Sequence, residues 1–323
     1  MTRIHFQDES TTLHQGDSLE VARTLESGSV DCIVTSPPYY GLRDYGTEGQ
    51  YGLEASPAEY VETMRALFSE LRRVLVDDGT LWLNLGDSYS SKAKGASGGA
   101  ARSTLTTSGR GKVNTHANQD FTPRAINAGV PDKNLMGIPW RVAFALQEDG
   151  WILRNAIVWN KPNAMPESVT DRLSTRYEMV YMFSKKPRYR FDLDLIREPL
   201  EHPDAGFKER NTTYTADMKA RRSEVRGIKA DIGKNPGDVW TIATQPFGGA
   251  HFAVMPSALA ERCIVAGCKP GGTVLDPFSG SGTTGLAASK HGRKYVGIDL
   301  NPEYLDLSLR TRLQQPSLFG DAS

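Results

Sequence analysis

The chain has 323 residues, 38 Lys and Arg against 38 Asp and Glu, and 39% hydrophobic residues, which is the composition of a globular protein with a sizeable core. No apolar run approaches the ~20 residues that cross a bilayer, and the polar amino terminus is not a signal peptide. Cys32, Cys263 and Cys268 lack CxxC spacing, so we expect reduced thiols in a cytoplasmic protein, with neither disulfides nor a metal site.

Strand and helix signals alternate along the first 187 residues. "TTLHQGDSLEVARTL" predicts a strand up to Gly16-Asp17 and then a helix, whereas "VDCIVTSPPYY" predicts a buried strand that runs into two prolines and two tyrosines. "SPAEYVETMRALF" predicts a helix with Ser56 as N-cap and Pro57 at its first position. "GTLWLNLGDSY" predicts a strand after an Asp78-Gly79 turn, "PWRVAFALQEDG" a helix, and "WILRNAIVWNKPN" and "YEMVYMFSK" a pair of strands. The alternation favours a doubly wound, mainly parallel α/β sheet.

Two segments interrupt this pattern. Residues 89–134 have almost no apolar periodicity and predict a long mobile loop, and residues 188–250 predict a smaller inserted region. Both are basic: seven Lys or Arg against two Asp within 88–134, and thirteen against nine acidic residues within 185–234. Charge segregated in this way on a neutral chain favours one surface that faces a polyanion, although solvated basic loops would have the same composition.

The segment "TVLDPFSGSGTTGLAA" has the form of a strand, a Gly-rich turn and a helix. Gly280 and Gly282 allow a tight turn close to a ligand, and Asp299 ends the next strand about twenty residues on, where a carboxylate accepts hydrogen bonds from ribose hydroxyls. The turn is not GxGxxG and lacks a P-loop lysine. Asp276 would repel a pyrophosphate but suits an ammonium group, so a nucleoside that carries an amino acid, S-adenosylmethionine, fits better than NAD or ATP.

"DPFSGSGTT" together with "TSPPY" resembles the motifs of DNA amino-methyltransferases, which methylate cytosine N4 or adenine N6 with S-adenosylmethionine. "LRNAIVWNKPNAMP", "RYEMVYMFSKKPRYRFD" and "HFAVMPSALAERCI" resemble further segments of that family, so the likeness covers about three quarters of the chain. The motif order is similar to the circularly permuted beta arrangement. The resemblance implies a Rossmann-like sheet with one antiparallel strand, a catalytic half (1–187), a target-recognition insertion (188–250), a cofactor-binding half (251–313) and a flexible tail (314–323).

The resemblance also implies the site residues. Ser36 and the Pro37 carbonyl would accept hydrogen bonds from the exocyclic amine, Pro38 would fix the turn, and Tyr39 would stack on a flipped base. The expected cofactor contacts are Asp17, Thr35, His251, Ala253, Asp276, Phe278, Ser279, Gly280, Gly282, Thr283 and Asp299. A cap for the following helix is the alternative role of Asp17. Trp159, Lys161 and Asn163 would lie at a strand end that faces the base.

The target base depends on one letter of the motif. Ser at the position of Ser36 is typical of cytosine-N4 enzymes and Asp of adenine-N6 enzymes, so we favour cytosine N4 and keep adenine N6 as the alternative. An RNA or a protein-glutamine methyltransferase would be a different enzymatic class, and Ser36 disfavours the latter because that family favours Asn before Pro-Pro-Tyr. A non-catalytic DNA- or clamp-binding relative is the remaining hypothesis, against which the intact motifs speak.

The expected macromolecular partner is double-stranded DNA. Target recognition would fall in 188–250, with phosphate or base contacts from basic residues, namely Arg188, Arg190, Arg210, Arg221 and Arg222. The tail segment "QPSLF" (Gln315–Phe319) resembles the peptide by which bacterial proteins bind the replisomal sliding clamp, but its Leu and Phe would equally pack on the chain itself. Whether the protein is a monomer or a homodimer stays open.

Overall fold

A nine-stranded sheet runs through the part of the chain that the computed structural model describes, which is residues 2–42, 46–90, 130–199, 233–245 and 255–314. The strands are β1 (Arg3–Gln7), β2 (Thr11–Gln15), β3 (Val30–Thr35), β4 (Leu75–Leu85), β5 (Ile152–Asn160), β6 (Tyr177–Ser184), β7 (Val239–Thr241), β8 (Thr273–Asp276) and β9 (Lys294–Asp299). They lie in the order β1-β2-β9-β8-β3-β4-β6-β5-β7. Chain connections therefore lead away in opposite directions from the β8–β3 pair, which defines a topological switch point.

The sheet is mainly parallel, as predicted. Strands β2, β9, β8, β3 and β4 are parallel to one another, whereas β6 is antiparallel to both β4 and β5 and is the expected antiparallel strand. The short edge strand β1, antiparallel to β2, is an addition to the prediction. β2 lies beside β9, where a permuted order would put it, and a 2.8 Å contact between His5 Nε2 and Asp306 Oδ1 joins the two ends of the described chain. The permutation itself stays a prediction.

Six α-helices of the described residues cover the two faces of the sheet. They are α1 (Ser18–Thr24), α2 (Pro57–Val74), α3 (Ile138–Glu148), α4 (Ser257–Gly267), α5 (Thr283–Lys290) and α6 (Pro302–Ser308). The first three pack in one apolar cluster with Leu81, Leu83 and Leu85 of β4, and the last three pack in a second cluster with Trp82. This alternation along β4 follows from the period of two in a strand. No helix of the described residues is long and apolar enough to cross a membrane.

Side-chain caps fix where two of these helices begin. Ser56 Oγ accepts the Glu59 N–H at the start of α2, with Pro57 in the first turn, as predicted. Gly137, the N-cap of α3, has no side chain to offer. Asp87, just beyond β4, replaces it: its two carboxylate oxygens accept the N–H groups of Gly137 (3.0 Å) and Ile138 (3.1 Å). The carboxyl end of β4 is thereby tied to α3.

One predicted turn differs from the structure, and one strand of the main sheet lies within the predicted insertion. Asp78 and Gly79, expected as a turn, lie inside β4, which begins at Leu75 and pairs irregularly with β3 up to Thr80. Within the predicted insertion 188–250, β7 pairs with β5 and so belongs to the main sheet. The division into domains stays a prediction, and the predicted mobile loop lies largely outside the described residues.

Candidate functional site

An open pocket lies at the carboxyl ends of β2, β9, β8 and β3, at the switch point of the sheet. Ligands of open α/β sheets bind at this place. Nine of the fifteen residues expected to act in catalysis or to contact the cofactor line the pocket: Asp17, Ser36, Pro38, Asp276, Phe278, Ser279, Gly280, Thr283 and Asp299. Lining residues that the sequence did not single out include Gln50, Tyr51, Asn301 and Tyr304. The two motifs, some 240 residues apart, thus share one cavity.

The Gly-rich turn after β8 is locked to the end of β9. Gly280 has φ +48° and donates its N–H to Asp299 Oδ2 at 2.8 Å, and the Asn301 N–H donates to Asp299 Oδ1 at 2.9 Å. Burial raises the pKa of the Asp299 carboxyl to about 6. Gly282 has φ +76° and begins α5, where a Cβ would come within 2.8 Å of the Ser308 Cβ. Gly280 therefore lies at the pocket, whereas Gly282 serves the turn and the packing of the helix.

Asp276 lies almost fully buried at the floor of the pocket. Its Oδ1 accepts the Thr35 hydroxyl (2.7 Å) and the Phe278 N–H (3.0 Å), and its Oδ2 accepts the Thr284 hydroxyl (2.7 Å). Burial raises the pKa of this carboxyl to about 6 in spite of the three donors. Thr35, which ends β3, is therefore bound to Asp276 across the switch point rather than being a pocket residue itself.

Asp17 has the capping role that was the alternative for it, and its contact with the cofactor stays a prediction. Its Oδ1 accepts the Glu20 N–H at 3.0 Å as the N-cap of α1, and the residue also lines the pocket. Tyr51 hydrogen-bonds to Asp17, and burial, followed by the Asp17 charge, raises the pKa of the tyrosine. The Tyr51 and Phe278 rings pack edge to face with their centres 5.2 Å apart, and together they form an aromatic wall of the pocket.

The corner, residues 36–40, adjoins the pocket and is fixed by side chains of β4 and β6. The Tyr39 hydroxyl lies 2.7 Å from Glu178 Oε2, 3.2 Å from Asn84 Oδ1 and 3.3 Å from Ser36 Oγ. Its ring passes so close to Gly86 that a Cβ there would come within 2.5 Å of the ring edge. Burial first, and the Glu178 charge second, raise the pKa of Tyr39, so its hydroxyl keeps its proton.

Glu178 was not predicted from the sequence. It lies on β6 and forms a largely buried ion pair with Lys161, whose ammonium lies 4.4 Å from the centre of the Trp159 ring. Lys161 thus reaches the corner through Glu178, whereas Trp159 is buried in the second apolar cluster and donates its indole N–H to the Ile242 carbonyl at 2.8 Å. That these side chains face the base stays a prediction. The Asn163 side-chain amide exchanges two hydrogen bonds with the Thr244 backbone (3.0 and 2.8 Å) and so pins the segment after β7.

The predicted DNA-binding arginines are only partly described, and those that are lie away from the pocket. The Arg190 N–H donates to the Asp78 carbonyl near the start of β4, whereas Ser36 follows the carboxyl end of β3. Arg188 and Arg190 consequently lie at the opposite end of the strands from the corner. Their contact with DNA stays a prediction. The other expected contacts lie outside the described residues: Arg210, Arg221, Arg222, His251, Ala253 and the tail segment Gln315–Phe319.

Comparison with known proteins gives a consistent family. A model of N6 and N4 methyltransferases, described as DNA methylase, matches residues 30–310. The chain is 46% identical to the type II methyltransferase M.Cfr9I of Citrobacter freundii over 94% of this chain and 87% of the relative. It is 47% identical to M.XycI of Xanthomonas campestris pv. cyanopsidis, over 92% and 86%.

Solved structures show the same fold. The PvuII DNA methyltransferase, described as cytosine-N4-specific, has a TM-score of 0.62 and 20% identity over 95% of this chain and 87% of its own. A DNA modification methylase of Thermus thermophilus, solved with S-adenosyl-L-methionine, has a TM-score of 0.53 and 22% identity, with 93% of each chain covered.

Proposed function

The chain belongs to the DNA methylase family of N6- and N4-methyltransferases, and we propose that it transfers a methyl group from S-adenosylmethionine to the exocyclic N4 of a cytosine in duplex DNA. The observation that carries this proposal is the joining of two motifs in one pocket: a serine corner for an amine and a carboxylate-lined turn for a nucleoside. The similarity to type II methyltransferases supports a site-specific enzyme that protects DNA alongside a restriction enzyme.

The charges of the pocket suit this methyl donor. Two carboxyls, Asp276 and Asp299, border the cavity, and neither is paired with a Lys or Arg of the described chain. Burial raises the pKa of both carboxyls to about 6, and no cation of the described chain offsets this effect. S-adenosylmethionine, when bound, supplies an electrophilic methyl group on a cationic sulfur. Asp299 would accept from the ribose hydroxyls, Asp276 would attract the ammonium end, and Tyr51 with Phe278 would hold the apolar surface of the nucleoside.

The corner supplies what an exocyclic amine lacks as a nucleophile. The lone pair of such an amine is delocalised into the ring, and hydrogen-bond acceptors around the nitrogen favour the pyramidal form that attacks. Ser36 Oγ and the Pro37 carbonyl are the acceptors that we assign to this task. Pro38 fixes the backbone between them and the Tyr39 ring, and its own carbonyl is held by the Tyr60 hydroxyl at 2.9 Å. A base inside a duplex cannot reach this cavity, so the target must be flipped out.

Ser36 carries the preference for cytosine over adenine. A serine hydroxyl is compact and neutral, which is typical of this position in cytosine-N4 enzymes. The solved neighbour described as cytosine-N4-specific has the same fold, but at 20% identity its likeness supports the fold rather than the base. Adenine N6 is therefore the second candidate, with the same donor and the same corner.

Mass spectrometry of nucleosides tests the proposal directly. The protein is incubated with S-adenosylmethionine and unmethylated bacterial DNA, and the DNA is then digested to nucleosides. We expect N4-methylcytosine to accumulate in proportion to enzyme, and about 10–100-fold more slowly with Ser36→Ala. N6-methyladenine in place of N4-methylcytosine would overturn the choice of base. The absence of both products, from DNA of varied sequence, would overturn the proposed activity.

A further inference from the structure

A chain of hydrogen bonds leads from the corner into the interior of the sheet and ends on a charge. It passes from Ser36 through Tyr39 to Glu178, and Lys161 closes it as an ion pair with Glu178. The side chains of Glu178 and Lys161 are only 16% and 17% exposed, so the interaction is screened far less than one on the surface. Hydrogen bonds alone would keep the shape of the corner, so a buried charged pair next to a reactive serine indicates a further function.

The single proton of Tyr39 can be assigned. Glu178 Oε2 is a carboxylate oxygen at 2.7 Å, whereas Asn84 Oδ1 is a neutral amide oxygen at 3.2 Å, and the shorter, charge-assisted bond takes the proton. The Asn84 amide agrees with this assignment, because its Nδ2 donates to the same Glu178 oxygen and to the Met179 carbonyl, both at 3.1 Å. The Glu178 carboxylate therefore receives hydrogen bonds from three sides.

The direction of the whole chain follows from this proton. Since Tyr39 donates to Glu178, its oxygen must act as the acceptor towards Ser36, 3.3 Å away. The Ser36 hydroxyl then points its proton at Tyr39, and the lone pairs of Ser36 Oγ face outward. A serine held in this way accepts a hydrogen bond from an amine and does not donate one to it.

We propose that Glu178 is a positioning residue that, through Tyr39, fixes Ser36 as a hydrogen-bond acceptor for the substrate amine, with Lys161 holding the carboxylate in place. This inference rests on the proposed function. It gives Tyr39 a second task besides the expected stacking on the base. It also explains how a serine, which both donates and accepts, is restricted to accepting in a site whose substrate offers an N–H group.

The isosteric change Glu178→Gln reverses the direction of the chain. The Lys161 ammonium requires an acceptor, so the carbonyl of the new side chain turns to it and the new amide N–H₂ turns to Tyr39 and Asn84. Tyr39 then accepts from residue 178 and donates towards Ser36, and the Ser36 proton is directed at the substrate. We expect kcat to fall about 10–100-fold, the range of a lost transition-state hydrogen bond, while KM for DNA and the cofactor Kd stay within about twofold.

Matched variants separate this role from stability. Lys161→Gln removes the same ion pair and should lower Tm, because the buried carboxylate loses its cation, but a carboxylate stays opposite Tyr39, so kcat should fall less than about threefold. Glu167→Gln removes the Arg172 ion pair of the same β5–β6 connection, which lies outside the chain of hydrogen bonds, and should leave kcat unchanged. The decisive cycle adds Glu178→Gln to Tyr39→Phe: with the hydroxyl gone, the second change should cost no further activity.

The readouts are kcat and KM for methyl transfer to DNA, cofactor Kd by calorimetry, and Tm. Multiplicative losses in the double variant, or equal losses for Lys161→Gln and Glu178→Gln, would overturn the proposal. If Glu178→Gln does not fold, Tyr39→Phe carries the test, and unchanged kcat contradicts it. A wild-type protein that methylates no DNA contradicts the proposed function and this inference with it. Wild-type transfer with an unaffected Glu178→Gln contradicts only the inference.

Discussion

The pocket and the corner meet at Ser36, but different kinds of contact hold them. In the pocket, backbone N–H groups do most of the fixing: Gly280 and Asn301 donate to Asp299, and Phe278 donates to Asp276. In the corner, side chains of distant strands do it: Asn84 comes from β4 and Glu178 from β6. The pocket carboxylates lack a paired cation in the described chain, whereas the carboxylate of the corner has Lys161.

This difference matches what each region has to bind. A pocket that takes a cationic ligand gains by leaving its carboxylates uncompensated, because the ligand then supplies the missing charge. A corner that must direct one proton gains when its carboxylate is paired with a cation of the protein, since an unpaired carboxylate would itself bind the substrate amine. We therefore expect changes in the pocket to act on affinity and pH dependence, and changes in the corner to act on turnover.

The largest effect should come from Asp276→Asn. The wild-type carboxyl has a pKa raised from 3.8 to about 6, so the folded state binds the proton more tightly and stability falls as pH rises from about 4 to 7. At 1.36 kcal/mol per pKa unit the loss is about 3 kcal/mol. Asn removes this slope, and Thr284, 3.4 Å from the Val34 carbonyl, can turn its proton there and accept from the amide.

Urea denaturation of wild type and Asp276→Asn at pH 5 and 7.5 measures the difference in stability, and calorimetry at pH 7.5 measures cofactor binding. The variant should gain stability relative to wild type at the higher pH and bind the cofactor about 10–100-fold more weakly, the effect of a lost charged contact. Parallel stability profiles for the two proteins would show that Asp276 carries no buried charge.

Next in size is Ser36→Ala in the corner. Loss of one acceptor should lower kcat about 10–100-fold, or roughly 1.4–2.8 kcal/mol in the barrier. Cofactor Kd should not change, because the pocket carboxylates and their backbone donors are untouched. Steady-state kinetics and calorimetry on the same preparation test both statements. An unchanged kcat would remove Ser36 from the mechanism, and a weakened Kd would mean that pocket and corner are not separable.

The difference between pocket and corner also explains what could be predicted from the sequence. The pocket comes from contiguous signals, a strand, Gly280 and Gly282 in a turn, and Asp299 at the end of the next strand, so local chemistry was sufficient to find it. The alternation of strands and helices likewise predicted the sheet, while the polar edge strand β1 gave too weak a pattern.

The support of the corner could not be found in this way. Glu178 follows Tyr177 at the start of a strand, where a single charged residue usually faces solvent, and its partner Tyr39 is 139 residues away. Tyr51 lies between β3 and α2 in a Gly-rich connection without periodicity, and only the fold brings it to Asp17. For both residues the decisive contact is tertiary, and a local pattern carries no signal for it.

A smaller effect is expected from Gly86→Ala. A Cβ at this position would meet the Tyr39 ring at 2.5 Å, so either the ring moves or the end of β4 does. Overpacking of this kind costs about 1–3 kcal/mol. Because the ring carries the hydroxyl that bonds Glu178, kcat should fall together with stability. The double variant Tyr39→Phe/Gly86→Ala should then be less stable than Tyr39→Phe but have nearly the same kcat. A full multiplicative loss of kcat would show that Gly86 acts by another route.

The smallest effect separates the two functions of Asp17. Asn is as good an N-cap as Asp, whereas Ala is not, so Asp17→Ala should lower the free energy of unfolding by about 1 kcal/mol and Asp17→Asn should not. If the carboxylate also serves the ligand, both variants lose cofactor affinity to the same small extent, about two- to fivefold for one exposed hydrogen bond. Urea titration reports the cap and calorimetry reports the ligand. An affinity that falls only in the Ala variant would assign Asp17 to the helix alone, since the pocket would then depend on the position of α1 rather than on the charge at its start.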